Sequence, residues 1–274
     1  MNKPTPLAAA LTSAASAFVV TTAVNTFLRS APSLKLRNHQ GKAVSLSEGA
    51  AVATSLTTSA LARQNWAGGV ALGITSAVGM ADDLDQGRHD GEAPAKGLKG
   101  HLRALSRGKI STGMVKMVGI GAAALIYNAG KRGERERNLV DLAVDTVLVA
   151  GSANLANLFD LRPGRALKTS AVPVVFAAAL SSQARPAALA TTVTALAAAP
   201  SDLRGETMLG DAGANPLGLQ CGMMLTCIHS RALRTALAAA TTGLILASEK
   251  VSFTEVIAAN PLLNAIDQAG RKQT

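Results

Sequence analysis

Leu139–Phe159 reads LVDLAVDTVLVAGSANLANLF, a stretch of 21 residues whose only charges are Asp141 and Asp145. A helix that crosses a bilayer needs ~20 mainly apolar residues, within a range of about 17–25. This stretch has that length. Its last turns, with the residue just beyond, put Asn154, Asn157 and Asp160 at i, i+3 and i+6, on one helix face. Similar charge-poor stretches recur on both sides of it. Leu7–Leu28, Ala43–Ala62, Trp66–Ala81 and Ile110–Ala129 precede it; Thr169–Ala184, Pro186–Pro200, Ala212–His229 and Ala232–Ala247 follow. The expected fold class is all-α, a polytopic transmembrane helix bundle of about nine spans.

The composition of the 274-residue chain agrees: 16% of residues are charged, against ~25% in an average soluble chain. Mean hydropathy is +0.25 and aromatics make up 3%, so Ala, Val and Leu carry the apolar mass. That hydrophobicity excludes disorder, two cysteines exclude a disulfide scaffold, and no Gly or heptad period supports a collagen-like or coiled-coil array. An Ala-rich soluble bundle is the alternative, and the clustering of charge between membrane-length gaps argues against it. Small residues such as Gly68–Gly69 and Gly119–Gly121 suit close helix packing inside a bundle.

Topology is a separate check. With the N-terminus outside, 18 of the 27 Lys and Arg residues fall in inner loops and 9 in outer ones, the sense of the positive-inside rule. The chain then divides into a transmembrane domain over residues 1–249 and a short amphipathic segment, residues 250–274, lying on the inner surface. The first span follows Lys3 as a signal peptide would, but with no clear cleavage site it is read as a membrane anchor. Cys221 and Cys227 lie six residues apart on one predicted helix, roughly 9 Å along its axis and too far to bridge, so they read as buried thiols. The pI near 10.1 raises nucleic acid as a partner. The basic residues are spread over short loops without aromatic interleaving or a recognition motif, so nucleic acid is not expected. Anionic head groups and phosphorylated substrates account for the charge more simply.

Three polar clusters interrupt the apolar background, and the topology puts all three at inner helix ends. They are Asp82-Asp83-Leu84-Asp85, the Asn154/Asn157/Asp160 face, and Gly210-Asp211-Ala212-Gly213 with Asn215 and Gly218. Acidic and amide groups there are costly without partners, which makes them candidates for function. Each has a bland reading: a solvated helix end, interhelical hydrogen bonding, a plain turn before a helix. Their joint appearance on one side favours function. Carboxylates brought together need a cation between them, and hard oxygen donors suit Mg²⁺, which also binds substrate phosphates.

In order and spacing these motifs resemble the polyprenyl-phosphate N-acetylhexosamine-1-phosphate transferases. The matching residues are Asp82-Asp83, Lys96-Gly97-Leu98, Asn154/Asn157/Asp160, and Gly210-Asp211-Ala212-Gly213 with Leu217-Gly218, over roughly residues 35–220. The resemblance implies a helical membrane bundle in the plasma membrane with its site facing the cytoplasm. It implies Mg²⁺-dependent transfer of a sugar-1-phosphate from a UDP-sugar to a polyprenyl phosphate, releasing UMP, in cell-wall or peptidoglycan-type polymer synthesis. Mn²⁺ is an alternative metal, and a homodimer is an open expectation. Carried over by position, Asp82 and Asp83 are the catalytic acids and Asp211, with Asp83, binds the metal. Lys42 and Lys96 contact phosphate, while Asn154, Asn157 and Asp160 position the nucleotide and diphosphate.

Where the family continues Asp-Gly-x-Asp-Gly, this chain reads Asp160-Leu161-Arg162-Pro163-Gly164-Arg165. Arg162 and Arg165 either grip an anionic ligand, as bidentate guanidiniums do, or serve as inner-loop topology charges. Glu48-Gly49 stands where the family has Gly-Gly, and the family's late His cluster is absent. Two function classes follow: an active phosphosugar transferase, or a non-catalytic relative that binds polyprenyl phosphate or nucleotide in envelope assembly. A transporter fits less well, because the polar groups gather at one surface. A phosphate monoester is mostly dianionic at pH 7, its second pKa being ~6. Direct attack of the lipid phosphate on the β-phosphate is therefore favoured over an aspartyl intermediate.

Overall fold

The computed structural model describes residues 6–37, 41, 43–85, 106, 111–131 and 138–272. Nine long helices coincide with the nine charge-poor stretches: α1 Pro6–Leu28, α2 Ser47–Ala62, α3 Trp66–Asp85, α4 Thr112–Gly130, α5 Leu139–Phe159, α6 Arg165–Leu180, α7 Arg185–Leu203, α8 Gly210–Leu225 and α9 Arg231–Ser248. Two short helices, α10 Phe253–Ala259 and α11 Pro261–Gln268, end the described chain. The all-α expectation is met in the bundle itself.

The helix starts follow local capping chemistry. Asn138 and Asp141 form a capping box at α5, each side chain accepting from the other's backbone N–H. Ser111 caps α4 and Ser230 caps α9 in the simpler form, by accepting one backbone N–H. Between α5 and α6 the chain turns through Gly164, whose φ of +73° lies in the left-handed region that favours glycine.

The expected span Ala43–Ala62 starts four residues late. Ala43–Ser45 is a strand, β2, paired antiparallel with β1, Lys35–Arg37. Ser45 also exchanges backbone hydrogen bonds with the chain before α8, its N–H donating to Glu206 and its carbonyl accepting from Met208. Extended pairing with a distant segment displaces the first turn of helix.

The nine expected spans need a correction of degree. Among the described residues, three helices are long and apolar enough to cross a membrane: Ala10–Leu28, Thr112–Gly130 and Leu139–Phe159. The reason is geometric and compositional. α2, α6 and α8 have 16 residues each, about 24 Å of helix against a hydrocarbon core of ~30 Å. α7 is longer but rich in Ala and Thr.

α8 is the centre of the molecule. Every residue from Ala212 to Leu225 is buried, against α2, α3, α5 and α6. Glycines permit that crowding: a Cβ on Gly213 would meet the Gly49 Cα of α2 at 2.6 Å, and one on Gly222 would meet the Val149 Cα of α5 at 2.7 Å. Gly119, expected to pack closely, does so on Val78, whereas Gly121 faces open space. Cys221 is buried, Cys227 half-buried, and both are free.

The outer helices show the opposite pattern. Val118 is 64% exposed, Val172 72% and Leu196 67%, on α4, α6 and α7 respectively. At the Asn138 end of α5 lies a buried ionic cluster in which Arg234 donates to both Asp141 and Asp145, and Arg231 donates to Asp141. Arg231 and Arg234 are among the nine outer-side charges of the expected topology; Arg234 is fully buried.

Candidate functional site

Asp82 and Asp83 lie past the end of the expected third span at Ala81, in the last turns of α3. Asp211 opens α8. The two helix ends meet because α3 approaches α8 through Gly79, which has the Asp211 carbonyl where a Cβ would stand. The contact brings residues 128 positions apart into hydrogen-bonding range.

Asp83 and Asp82 face different partners, as their ~100° offset on a helix requires. Asp83 accepts from the backbone N–H of Asp211 at 3.0 Å and of Ala212 at 2.8 Å. It thus caps α8 from another helix, satisfying two of the amides that a helix N-terminus leaves unpaired. Gly210 makes room for it: φ is +57°, and a Cβ there would lie 2.8 Å from an Asp83 carboxylate oxygen. Asp82 instead accepts from the Lys116 ammonium of α4 at 2.6 Å. Lys116 also donates to Asp211, so one cation is shared by two carboxylates from different helices.

The electrostatics follow from this pairing. Burial raises the Asp211 carboxyl to about 8, helped by its hydrogen bond with Asp82. Burial also acts on Asp82, but the hydrogen bonds from Asp211 and Lys116 outweigh it and hold Asp82 at about 2. The two carboxyls titrate as one coupled pair beside the ammonium, burial pushing Asp211 up while the bonds from Asp211 and Lys116 pull Asp82 down. Burial raises Asp83 to about 6 against the opposing pull of the two amides it accepts.

Asp160, just past α5, belongs to the same end of the bundle. Its carboxyl is raised well above the usual range by burial and then by Asp202 and Asp83, and it accepts a backbone hydrogen bond from Gly210. Three sequence motifs on α3, α5 and α8 therefore converge. The Asn154 and Asn157 side chains are half-buried on the same face of α5 and have no hydrogen-bond partner among the described residues.

The arginines of the divergent loop turn elsewhere. Arg165 is buried and forks onto Asp267 of α11 at 2.8 and 2.9 Å, with a further bond to Thr254. This occupies Arg165 in tying the C-terminal helices to the loop. Arg162 lines a separate cleft with Arg204 and Arg271. Lys42 and Lys96 lie outside the described residues.

In the sequence Lys116 is one of the 18 inner-side charges and belongs to none of the three polar clusters; it interrupts the otherwise apolar run Ile110–Ala129. Its signal was legible: an ionisable residue inside a membrane-length helix is functional by default. A second, apolar cleft of about 380 Å³ lies between α5, α6, α8 and α9 and includes Phe159, Phe176, Leu237 and Leu244. Its Phe159 wall is adjacent in sequence to Asp160. Among the described residues, no three His, Cys, Asp or Glu side chains converge on a single metal position.

No protein-family model matches this chain, and a comparison with curated proteins returns no match.

Proposed function

We propose that the chain is a multi-pass plasma-membrane transferase that moves a sugar-1-phosphate from a UDP-sugar to a polyprenyl phosphate at a site facing the cytoplasm. The observation that carries this reading is the Lys116 ammonium held between Asp82 of α3 and Asp211 of α8, with Asp83 and Asp160 alongside. The apolar cleft that starts at Phe159 supports a lipid acceptor, since an isoprenoid tail needs a dry surface leading to the polar site. Apolar side chains exposed on α4, α6 and α7 support lipid contact beyond the three helices of full spanning length.

The donor set fits a divalent cation in its chemistry. Two carboxylates from different helices already share one positive charge, and Mg²⁺ needs few protein ligands because it keeps waters and substrate phosphates. Asp82 and Asp211 would hold Mg²⁺ or Mn²⁺, with Asp83 fixing the backbone that presents Asp211. When bound, the metal would neutralise the donor diphosphate.

The chain's own residues do the rest. Lys116, released from Asp211, neutralises a phosphate oxygen and reduces the repulsion between two anions, the larger part of the barrier. Asn157 and Asp160 orient the nucleotide from the α5 face, with Asn154 one turn further in. Lys42 and Lys96 are the further phosphate-binding residues that the motif resemblance implies. A lipid phosphate oxygen attacks the β-phosphorus, the bond from that phosphorus to the bridging oxygen breaks, and UMP leaves with that oxygen. No proton moves in that step.

A second reading has its own support. Lys116 already neutralises Asp82 and Asp211, an arrangement that suits a non-catalytic relative that binds polyprenyl phosphate or nucleotide as a partner in envelope assembly. Purified protein given Mg²⁺, undecaprenyl phosphate and a panel of radiolabelled UDP-sugars separates the two. Lipid-linked product that disappears in Asp211→Asn and Lys116→Met supports the enzyme. No product from any donor, with polyprenyl phosphate still bound, favours the binder.

A further inference from the structure

The α5–α6 loop, the end of α7 and the C-terminal helices enclose a cleft of about 520 Å³. Arg162, Arg165, Arg204, Arg271 and Lys272 line it, with Asp267 as the one acid. Five cations thus face one carboxylate across a single concavity. They come from three segments separated by tens of residues, which loop charges placed only for topology have no reason to do.

Internal pairing leaves much of that charge uncompensated. Asp267 accepts from Arg165 and, at 2.6 Å, from Arg271. Arg204 pairs with Glu206, which Arg29 also binds. The Arg162 and Lys272 side chains have no hydrogen-bond or ion-pair partner among the described residues. Crowding shows in the titration of Arg271, which is lowered by burial and also by Arg165 and Arg162. Like charges held this close favour an anion between them.

We propose that this cleft is a second ligand site, distinct from the Asp82–Asp211 site, and that it takes a phosphate group. Guanidinium forks match phosphate oxygens in pairs, and Arg271 is already braced from behind by its 2.7 Å bond to the Pro163 carbonyl. The phosphate belongs either to an anionic lipid head group or to a free phosphorylated solute. Leu262 and Ile266 are 69% and 53% exposed on α11, on the face opposite Asn264, Asp267 and Gln268, which line the cleft, so this helix offers an apolar face to a lipid surface and its other face to the phosphate.

The test uses the full-length protein in detergent, without UDP-sugar or metal, so its outcome is independent of transferase activity. Native mass spectrometry counts adducts of short-chain phosphatidylglycerol, with phosphatidylcholine as the zwitterionic control. A thermal-shift titration with inorganic phosphate runs in parallel. The variants are R162A/K272A, which removes the two unpaired cations, and R185A at a distant helix start as control. Phosphatidylglycerol adducts exceeding those of phosphatidylcholine, and weakened at least tenfold in R162A/K272A alone, assign the site to lipid. Phosphate-dependent stabilisation lost only in R162A/K272A, with equal lipid adducts, assigns it to a soluble phosphate. No phosphate or phosphatidylglycerol dependence, or dependence unchanged in R162A/K272A, overturns the proposal.

Discussion

Asp82 and Asp83 are neighbours of one residue type with separable duties, and substitution should pull those duties apart. Asp83 accepts two amides at the start of α8. Asp83→Ala should therefore lower stability by about 1–2 kcal/mol, the scale of a lost helix cap, read as a lower midpoint in a thermal melt in detergent. Asp82→Asn leaves that cap intact, so it should lose turnover with the melt nearly unchanged. Equal melts for the two variants would contradict the assignment. Asp202 offers a pH test. Burial raises its carboxyl to about 6 although it accepts the Gly164 N–H. A carboxyl raised in the folded state stabilises fully below its unfolded pKa of about 4, and that stability is lost as pH rises through 6. The melting temperature should fall between pH 4 and 7, and Asp202→Asn, which keeps an acceptor for Gly164, should flatten the slope. At this scale the sequence was informative about residue type and position, since all three acidic motifs reach one site. It was uninformative about pairing: nothing in Asp-Asp says which carboxylate turns to the backbone, and Lys116 carried no motif.

Helix ends were legible where local chemistry decides them and obscure where distant segments intervene. α5 begins and ends where its charge-poor run does, because Asn138 and Asp141 cap it and Asp160 follows its last turn. α2 starts late because Ser45 is held in extended pairing with Glu206 and Met208, a partnership 161 and 163 residues away that no local window contains. Two contacts between elements are open to direct test. In the α5–α9 cluster Arg234 is fully buried with Asp141 and Asp145. Removing one partner of a buried ionic group typically costs about 3–5 kcal/mol, so Arg234→Met should sharply lower the melting temperature while leaving the distant Asp82–Asp211 pair in place. Gly79→Ala puts a methyl on the Asp211 carbonyl. Backbone must shift, at about 1–3 kcal/mol for overpacking, and the site should lose activity more than the fold loses stability.

For the whole molecule, the charge map foretold nine helices in the right places but overstated how many are built to span on their own. Ala- and Gly-rich segments insert weakly by themselves, and in α8 the polar residues and short length are tolerated because neighbours surround it. The proposed sidedness is open to test on α7, which starts at Arg185 and is followed by Arg204. A cysteine placed at 204 should be protected from a membrane-impermeant maleimide in intact cells, and one placed at 185 should be labelled. The Cys221 and Cys227 thiols are to be replaced first. Labelling of both, or of 204 alone, would invert or abolish the proposed topology.

The encased position of α8 has a consequence for biogenesis. A 16-residue segment holding Asp211, Asn215 and Gln220 has little reason to rest alone among acyl chains. On the proposed membrane reading, it enters the bilayer only in the company of α3 and α5, against which it is buried. Ribosome-bound chains that stop just after α8 should leave it accessible to protease, and adding a lipid-facing successor should shelter it. The Asp82, Lys116 and Asp211 cluster then forms only once α8 has docked, so its geometry is a product of late assembly.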